Sequence, residues 1–423
     1  LLPLLADRAL LPPPPSESEG SDGSDAPPSP ASPTSSLVYA AIGAASPAAG
    51  SGPPPFQSFA APAGFGAALA KVLKPYPAAA TAPNLPQDRW MTRALIEGAW
   101  ARRVPRFSVL WLSDPAYSQG VAAPGTNAAL ASIQGQDENL RLLLAALERK
   151  GVRGKTDVFV VSDTGYSTVG EGIDVADELA QAGFNAVRRL KAPAPAKEGE
   201  EAPKPALARG QVLVVGHGGT VLLYVGKHDA EVTARLAAFL QRSRFAGVIF
   251  SREARDGAFT LHQANLATAD WESLPDLLFS FRWTAEANRN GVPGTVSADV
   301  GGGAAPRRGA TGTLSRFDLH AVLVASGPDL RSGWVDDLPS GNADLAPTIA
   351  GLVGLSSPPW MDGRVLVEAI RGYPAPAAEV RAETLEAAAG AWKQTLRLTR
   401  VGGAVYFEEG NGGGSNRGGV GAP

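Results

Sequence analysis

Residues 158–170 read VFVVSDTGYSTVG: an apolar run stops at Ser162-Asp163, and Gly165 follows at once. A short, continuous apolar run of this kind is a buried strand, and the Ser-Asp pair places a carboxylate at the rim of its sheet. The stretch just before it supports the same architecture. RFSVLWLS (106–113) reads as another buried strand and NAALASIQGQDENLRLLLAALERKG (127–151) as a long amphipathic helix.

Further out, the alternation continues. GIDVADELAQAG (172–183) reads as a helix, and QVLVVG and TVLLYVG as a hairpin around His217-Gly218-Gly219. DAEVTARLAAFLQRS (229–243) is a helix, AGVIFS and GAFTLHQ are strands, DLHAVLVAS (318–326) is a strand and NADLAPTIAGLVG (342–354) a helix. Strands alternating with helices predict an α/β domain with a mostly parallel central sheet and helices on both faces. In such folds ligands gather at the carboxyl ends of strands, where Asp114 and Asp163 both fall. Trp90, Trp100, Trp111 and Trp283 sit in apolar settings and are expected in the core.

Composition removes several functions. The 423 residues hold 38 basic and 41 acidic side chains, which speaks against nucleic acid on a basic face. No cysteine occurs, so disulfides, thiolate metal sites and thiol nucleophiles are excluded. Only His217, His228, His262 and His320 supply imidazole. No segment reads as a membrane span, and LLPLLADRALL is too short and lacks a basic leader for a signal peptide. With Leu1 in first place, the chain is expected to be a fragment or a processed form. Residues 1–36, rich in Pro, Ser and Gly, are expected to be disordered; 191–210 is a solvated insert and 410–423 a flexible tail. One domain is expected over 37–409, with a short strand at Leu37–Ile42 and a helix at Gly64–Leu73.

Three strand ends, LWLSDPAYSQGVAAPGT (110–126), VVSDTGYSTVG (160–170) and TGTLSRFDLHAVLVASGPDL (311–330), resemble the bacterial-type branch of the type I phosphodiesterase/nucleotide pyrophosphatase family, within the alkaline phosphatase superfamily. NRNGVPG (288–294), DLPSGNADLAPTIAGLVGL (337–355), MDGRVLVEAI (361–370) and VYFEEGNGG (405–413) continue the resemblance in the same order. It implies an alkaline-phosphatase-like fold, two zinc ions, a threonine or serine nucleophile and a phosphate ester or nucleotide as ligand. By analogy it also implies a secreted or periplasmic protein.

Carried onto this sequence, the family's ligand elements are depleted. In the element P-D-x-x-x-H the aspartate position is Ala116 and the histidine position Gly120. In S-D-H-G, Asp163 remains but Thr164 replaces the histidine, and in the later H-G element Thr311 stands before Gly312. None of the four replacements binds zinc comparably. No Asp-Gly strand followed by a usable threonine precedes Arg106; Ser21-Asp22-Gly23, Thr34 and Thr81 stand in Pro-, Ser- or Ala-rich surroundings.

The resemblance therefore implies a family member that has lost zinc and turnover, with no cofactor expected. The alternative is an active metal-dependent phosphoric ester hydrolase with an atypical site. Asp114, Asp318 and His320 are expected to brace the site rather than bind metal. His217 lies in a turn, His228 flanks a helix start and His262 sits mid-strand; GGGAAPRRGATG (301–312) reads as a flexible loop.

Overall fold

The computed structural model describes residues 65–77, 81–191, 205–268, 270–301, 307–374 and 379–414. Most of the expected disordered segment, insert and tail, and the expected strand at 37–42, lie outside the described residues. The chain divides into two compact units, made of residues 1–113, 134–159 and 325–378, and of 114–133, 160–324 and 379–423. Among the described residues no helix is long and apolar enough to cross a membrane. Helices are numbered α1–α8 and strands β1–β15 along the chain.

In the first unit, α1 (Phe65–Val72) and α2 (Leu85–Arg93) bury Leu69, Trp90 and Met91 together. A π-helical turn, Ala94–Ala99, extends α2. A Cβ at its Gly98 would collide with the Leu69 side chain, which would have to shift. Most of α4 (Asn127–Arg149) belongs here and packs Ala146 and Leu147 against Leu95 and Trp100. The fully buried Asp88 carboxylate organises this unit. It accepts bonds from the Ser113 amide and hydroxyl, 2.9 Å each, and from Gln136 Nε2 at 2.8 Å. Around α8 (Leu345–Leu352) the buried Asp344 plays a similar part, accepting from the Gly341 and Arg364 amides.

The expected buried strand at 106–113 is not one. Phe107, Val109 and Trp111 are more than half exposed, and only the intervening Leu110 and Leu112 face the α1–α2 core. Trp111 is thus not a core residue, whereas Trp90, Trp100 and Trp283 are. The side-chain pattern has a strand's period of two, but among the described residues no neighbouring strand pairs with it.

The second unit centres on a six-stranded sheet in the order β3 (Ala186–Val187), β4 (Val212–His217), β5 (Thr220–Val225), β8 (Leu277–Phe281), β6 (Ala246–Ser251), β7 (Phe259–Thr260). All six residues of β6 are buried, and their alternation separates two cores. Ile249 joins Leu179 of α5 (Val175–Gln181) and Leu236 of α6 (Ala230–Arg242); Val248 and Phe250 join Leu396 and Leu398 of β14 (Trp392–Val401). That strand runs between β13 (Val380–Ala389) and β15 (Ala404–Gly414), a three-stranded sheet that the sequence pattern did not suggest. Residues 410–414 are therefore strand, not tail.

A four-stranded sheet follows the order β11 (Gly309–Ala310), β2 (Ser167–Ile173), β10 (Pro293–Asp299), β9 (Trp283–Ala287). A separate pair joins β1 (Val158–Val161) to β12 (Leu323–Ser326). The expected α/β class holds, but the pairing is more mixed than mostly parallel. β3–β4, β6–β7 and β2–β10 are parallel, while β4–β5, β5–β8 and β6–β8 are antiparallel. The cause is local: Gly218, at φ 62°, closes the expected hairpin between β4 and β5. Two further expectations are corrected. GAFTLHQ yields only the two residues of β7, leaving His262 exposed in a turn. Of DLHAVLVAS, Asp318 lies in the short helix α7 (Arg316–Leu319) and only Leu323–Ser326 is strand.

The buried Gln394 side chain acts as a piece of strand: its Oε1 accepts from the Ile249 amide at 2.8 Å and its Nε2 donates to the Ile249 carbonyl at 3.0 Å. Replacing it with leucine strands two buried backbone groups, each costing roughly 1–3 kcal/mol. Urea unfolding of Gln394→Leu is expected to show a loss of at least about 2 kcal/mol; an unchanged midpoint would show that Gln394 does not tie the two sheets.

Candidate functional site

The sequence-predicted residues fall in the second unit, on the loops around β1, β2, β11 and α7. Asp163 stands exposed past the end of β1, followed by the partly buried Thr164. The turn is fixed from both sides. The Ser162 amide donates to the Val322 carbonyl at 2.9 Å, and the Val322 amide to Ser162 Oγ at 2.8 Å. The Gly165 amide donates to the Asp318 carbonyl at 2.8 Å, and a Cβ at Gly165 would collide with the Phe317 carbonyl oxygen. The glycine after Asp163 is thus required by close backbone approach.

Asp318 is the best-held carboxylate of the region, only 2% exposed. Its Oδ1 accepts from Ser167 Oγ at 2.5 Å, and its Oδ2 from the Thr313 amide at 3.0 Å and hydroxyl at 2.6 Å. Ser315 caps α7 and in turn donates its amide to Thr313 Oγ1. One buried carboxylate therefore ties the 311–315 loop to the start of β2. His320 takes no part in this. It caps the end of α7, is largely exposed, and approaches Glu408 at 3.6 Å.

Thr311 and Gly312 lie across the β4–β5 hairpin. Gly219 donates its amide to the Thr311 carbonyl at 2.8 Å, and Thr220 its hydroxyl to Gly312. Among the described residues the buried Thr311 Oγ1 has no partner. The His217-Gly218-Gly219 turn thus meets the loop that carries Thr311, although the two are about ninety residues apart in sequence.

Asp114, 4% exposed, accepts the Ser118 amide at 2.9 Å and so caps α3 (Ala116–Ala122), which carries Ala116 and Gly120. Gly120 is buried, and its carbonyl accepts the Arg308 amide at 2.9 Å. A Cβ at Gly120 would stand 3.2 Å from the Arg307 guanidinium. Beside them the Tyr166 hydroxyl is pushed above its ordinary pKa by burial and by Asp163 and Asp318, with Arg307 pulling the other way. The Arg307 guanidinium therefore lies against Gly120.

These residues do not fit a two-zinc centre. Ala116 and Gly120 offer no donor atom, Thr164 and Thr311 offer neutral hydroxyls, and Asp318 already accepts from two hydroxyls and an amide. Among the described residues, no three His, Asp or Glu side chains form a group able to hold a metal ion.

What stands out nearby is a cleft of about 610 Å³ lined by Val121, Thr126, Asn127, Arg289, Asn290 and Arg308, among others. Asn288 shapes its rim by donating to the Pro124 carbonyl at 2.9 Å and to Thr168 Oγ1 at 2.8 Å. Among the described residues neither Arg289 nor Arg308 pairs with a carboxylate. Sequence reading dismissed Arg307 and Arg308 as part of a flexible loop. Gly309–Ala310, next in the chain, is instead a strand paired with Ser167 and Thr168, which fixes both arginines near α3.

Residues 68–263 match the family model described as Type I phosphodiesterase / nucleotide pyrophosphatase. Among solved structures, the chain is similar to the inactive murine ectonucleotide pyrophosphatase/phosphodiesterase 5 in complex with AMP. Identity is 14% and the TM-score 0.42, over 63% of this chain and 59% of the murine one. The human ectonucleotide pyrophosphatase/phosphodiesterase 5 gives 10% identity and a TM-score of 0.41, over 70% and 66%. No curated protein matches.

Burial raises Asp318 above the ordinary carboxylate range, against hydrogen bonds from Ser167 and Thr313 that lower it. The folded chain then holds this proton more tightly than the unfolded chain does. The resulting stability is present below the ordinary value, about 4, and is lost as pH rises through the raised folded value. Wild type is thus expected to lose stability relative to Asp318→Asn as pH rises above about 4, measured by urea midpoints. A pH-independent difference would contradict this.

Proposed function

Proceeding from residues 68–263, which belong to the type I phosphodiesterase/nucleotide pyrophosphatase family, we propose that this protein binds a phosphate ester or nucleotide without hydrolysing it. The observation that carries the reading is the exchange of charge carriers around α3. Three imidazole positions hold Gly120, Thr164 and Thr311, while Arg289, Arg307 and Arg308 gather along the α3 end of the same unit.

Guanidinium groups recognise phosphate oxygens through parallel charge-assisted bonds, and need no metal to do so. A cleft of about 610 Å³ is of the size that holds a small organic ligand. In it Arg289 and Arg308 meet the phosphoryl oxygens, with Asn127 and Asn290 as further polar partners. Turnover is a separate requirement. A phosphoryl ester is cleaved by polarising its oxygens and presenting an activated nucleophile, and removing metal polarisation forfeits several kcal/mol of transition-state stabilisation. Exposed Asp163, with Thr164 beside it, supplies neither function. The fold tolerates this loss because core packing and site chemistry are independent demands.

Titration calorimetry with AMP, with and without a chelator, tests the reading. Binding is expected to be indifferent to the chelator, and to weaken about tenfold or more in Arg308→Ala and in Arg289→Ala, the worth of one charge-assisted contact. Hydrolysis of an aryl phosphodiester is expected to stay at the buffer rate. Turnover abolished by the chelator would instead establish an active hydrolase with an atypical site.

A further inference from the structure

At the end of β5 away from the Gly218 hairpin, the second unit brings an imidazole and a guanidinium together. β5 runs out at Val225 towards His228, β6 at Ser251 into Arg252, and Asp276 stands just before β8. Asp276 is buried and both its oxygens are engaged. Its Oδ2 accepts the Val225 amide at 2.7 Å, and its Oδ1 meets His228 Nδ1 at 2.8 Å. A buried carboxylate on Nδ1 calls for the proton there, which leaves Nε2 as the nitrogen free to meet a ligand. Arg252 Nη1 lies 3.2 Å from Nδ1 and 3.1 Å from Nε2. Such near-equal distances place it over the ring rather than at either lone pair. The Arg252 side chain is 6% exposed, and its Cζ lies 5.1 Å from the centre of the Trp271 ring.

Glu272 faces this pair without closing on it. One of its oxygens stands 3.7 Å from His228 Nε2 and the other 3.7 Å from Arg252 Nη2, both beyond hydrogen-bond length, and the side chain is 84% exposed. Each oxygen of a loosely held carboxylate thus addresses one nitrogen of the pair, as two oxygens of a bound oxyanion would.

We propose that His228 and Arg252 form a site for a small tetrahedral oxyanion, filled when His228 is protonated, with Glu272 as the internal carboxylate that the ligand displaces. The neutral ring, its proton on Nδ1, offers only a lone pair at Nε2 and gives an oxyanion nothing to accept. The protonated ring offers Nε2–H beside a guanidinium, and an anion spanning two adjacent cations is stabilised. Binding therefore takes up a proton. The other charges nearby are spoken for or flank the turn: Asp276 stands behind the ring, Lys227 precedes it, and Asp229 accepts the Glu231 and Val232 amides and pairs with Arg209 at 3.0 Å. The site shares no residue with the cleft beside α3.

The chain has four histidines, so the His228 ring is followed by NMR, its signal identified by loss in His228→Gln. The probe is sulfate, whose charge is constant across the range, against chloride at equal ionic strength. Sulfate is expected to shift the His228 signal at about pH 5.5 and to bind about tenfold more weakly at about pH 8. Arg252→Gln is expected to weaken binding at about pH 5.5 by about tenfold or more. Glu272→Gln is expected to tighten it about threefold, because an exposed competing charge is removed. Glu272 lies on the surface, so this arm remains readable even if the buried Arg252 tolerates no substitution. A His228 signal indifferent to sulfate at both pH values would overturn the proposal. So would equal affinity at the two, or weaker binding in Glu272→Gln.

Discussion

The buried Asp318 carboxylate is the constraint on which the site region depends. Its oxygens accept from Ser167 at the start of β2 and twice from Thr313, and its own carbonyl receives the Gly165 amide. Two stretches about 150 residues apart in sequence, 165–167 and 313–318, are thereby held together. Such a carboxylate is expensive to bury and is retained only when its donors are complete. Here they are complete, so the strand end that delivers Asp163 is kept in place.

The fold around this carboxylate was partly legible in the sequence. The hairpin around Gly218 and the helices after Asp174 and Asp229 follow from local pattern and capping, and so does the strand before Asp163, but not its expected burial, since Val160 and Val161 are exposed. What local pattern could not show was tertiary. Residues 106–112 have a strand's alternation, but a strand exists only with a partner, and pattern does not reveal whether one is present. The sheet over 380–414 was missed because its edge strand β13 alternates small and charged residues, with little apolar signal.

The arginines illustrate the same limit on the functional side. In sequence, Arg307 and Arg308 adjoin a glycine-rich stretch and look solvated. In space, the next two residues pair with β2, the Arg308 amide bonds to Gly120, and Arg289 arrives from the turn after β9 to line the same cleft. Cationic side chains thus gather beside α3, two of them lining one cleft. A guanidinium supplies charge and hydrogen bonds but no exchangeable coordination position, so it can hold a phosphoryl group without generating a nucleophile.

Zinc stoichiometry on the dialysed full chain, by mass spectrometry after incubation with excess zinc, tests this account most directly. The account predicts no stoichiometric zinc and AMP binding that persists in its absence. Two zinc ions per chain, with phosphodiester hydrolysis restored by them, would contradict it.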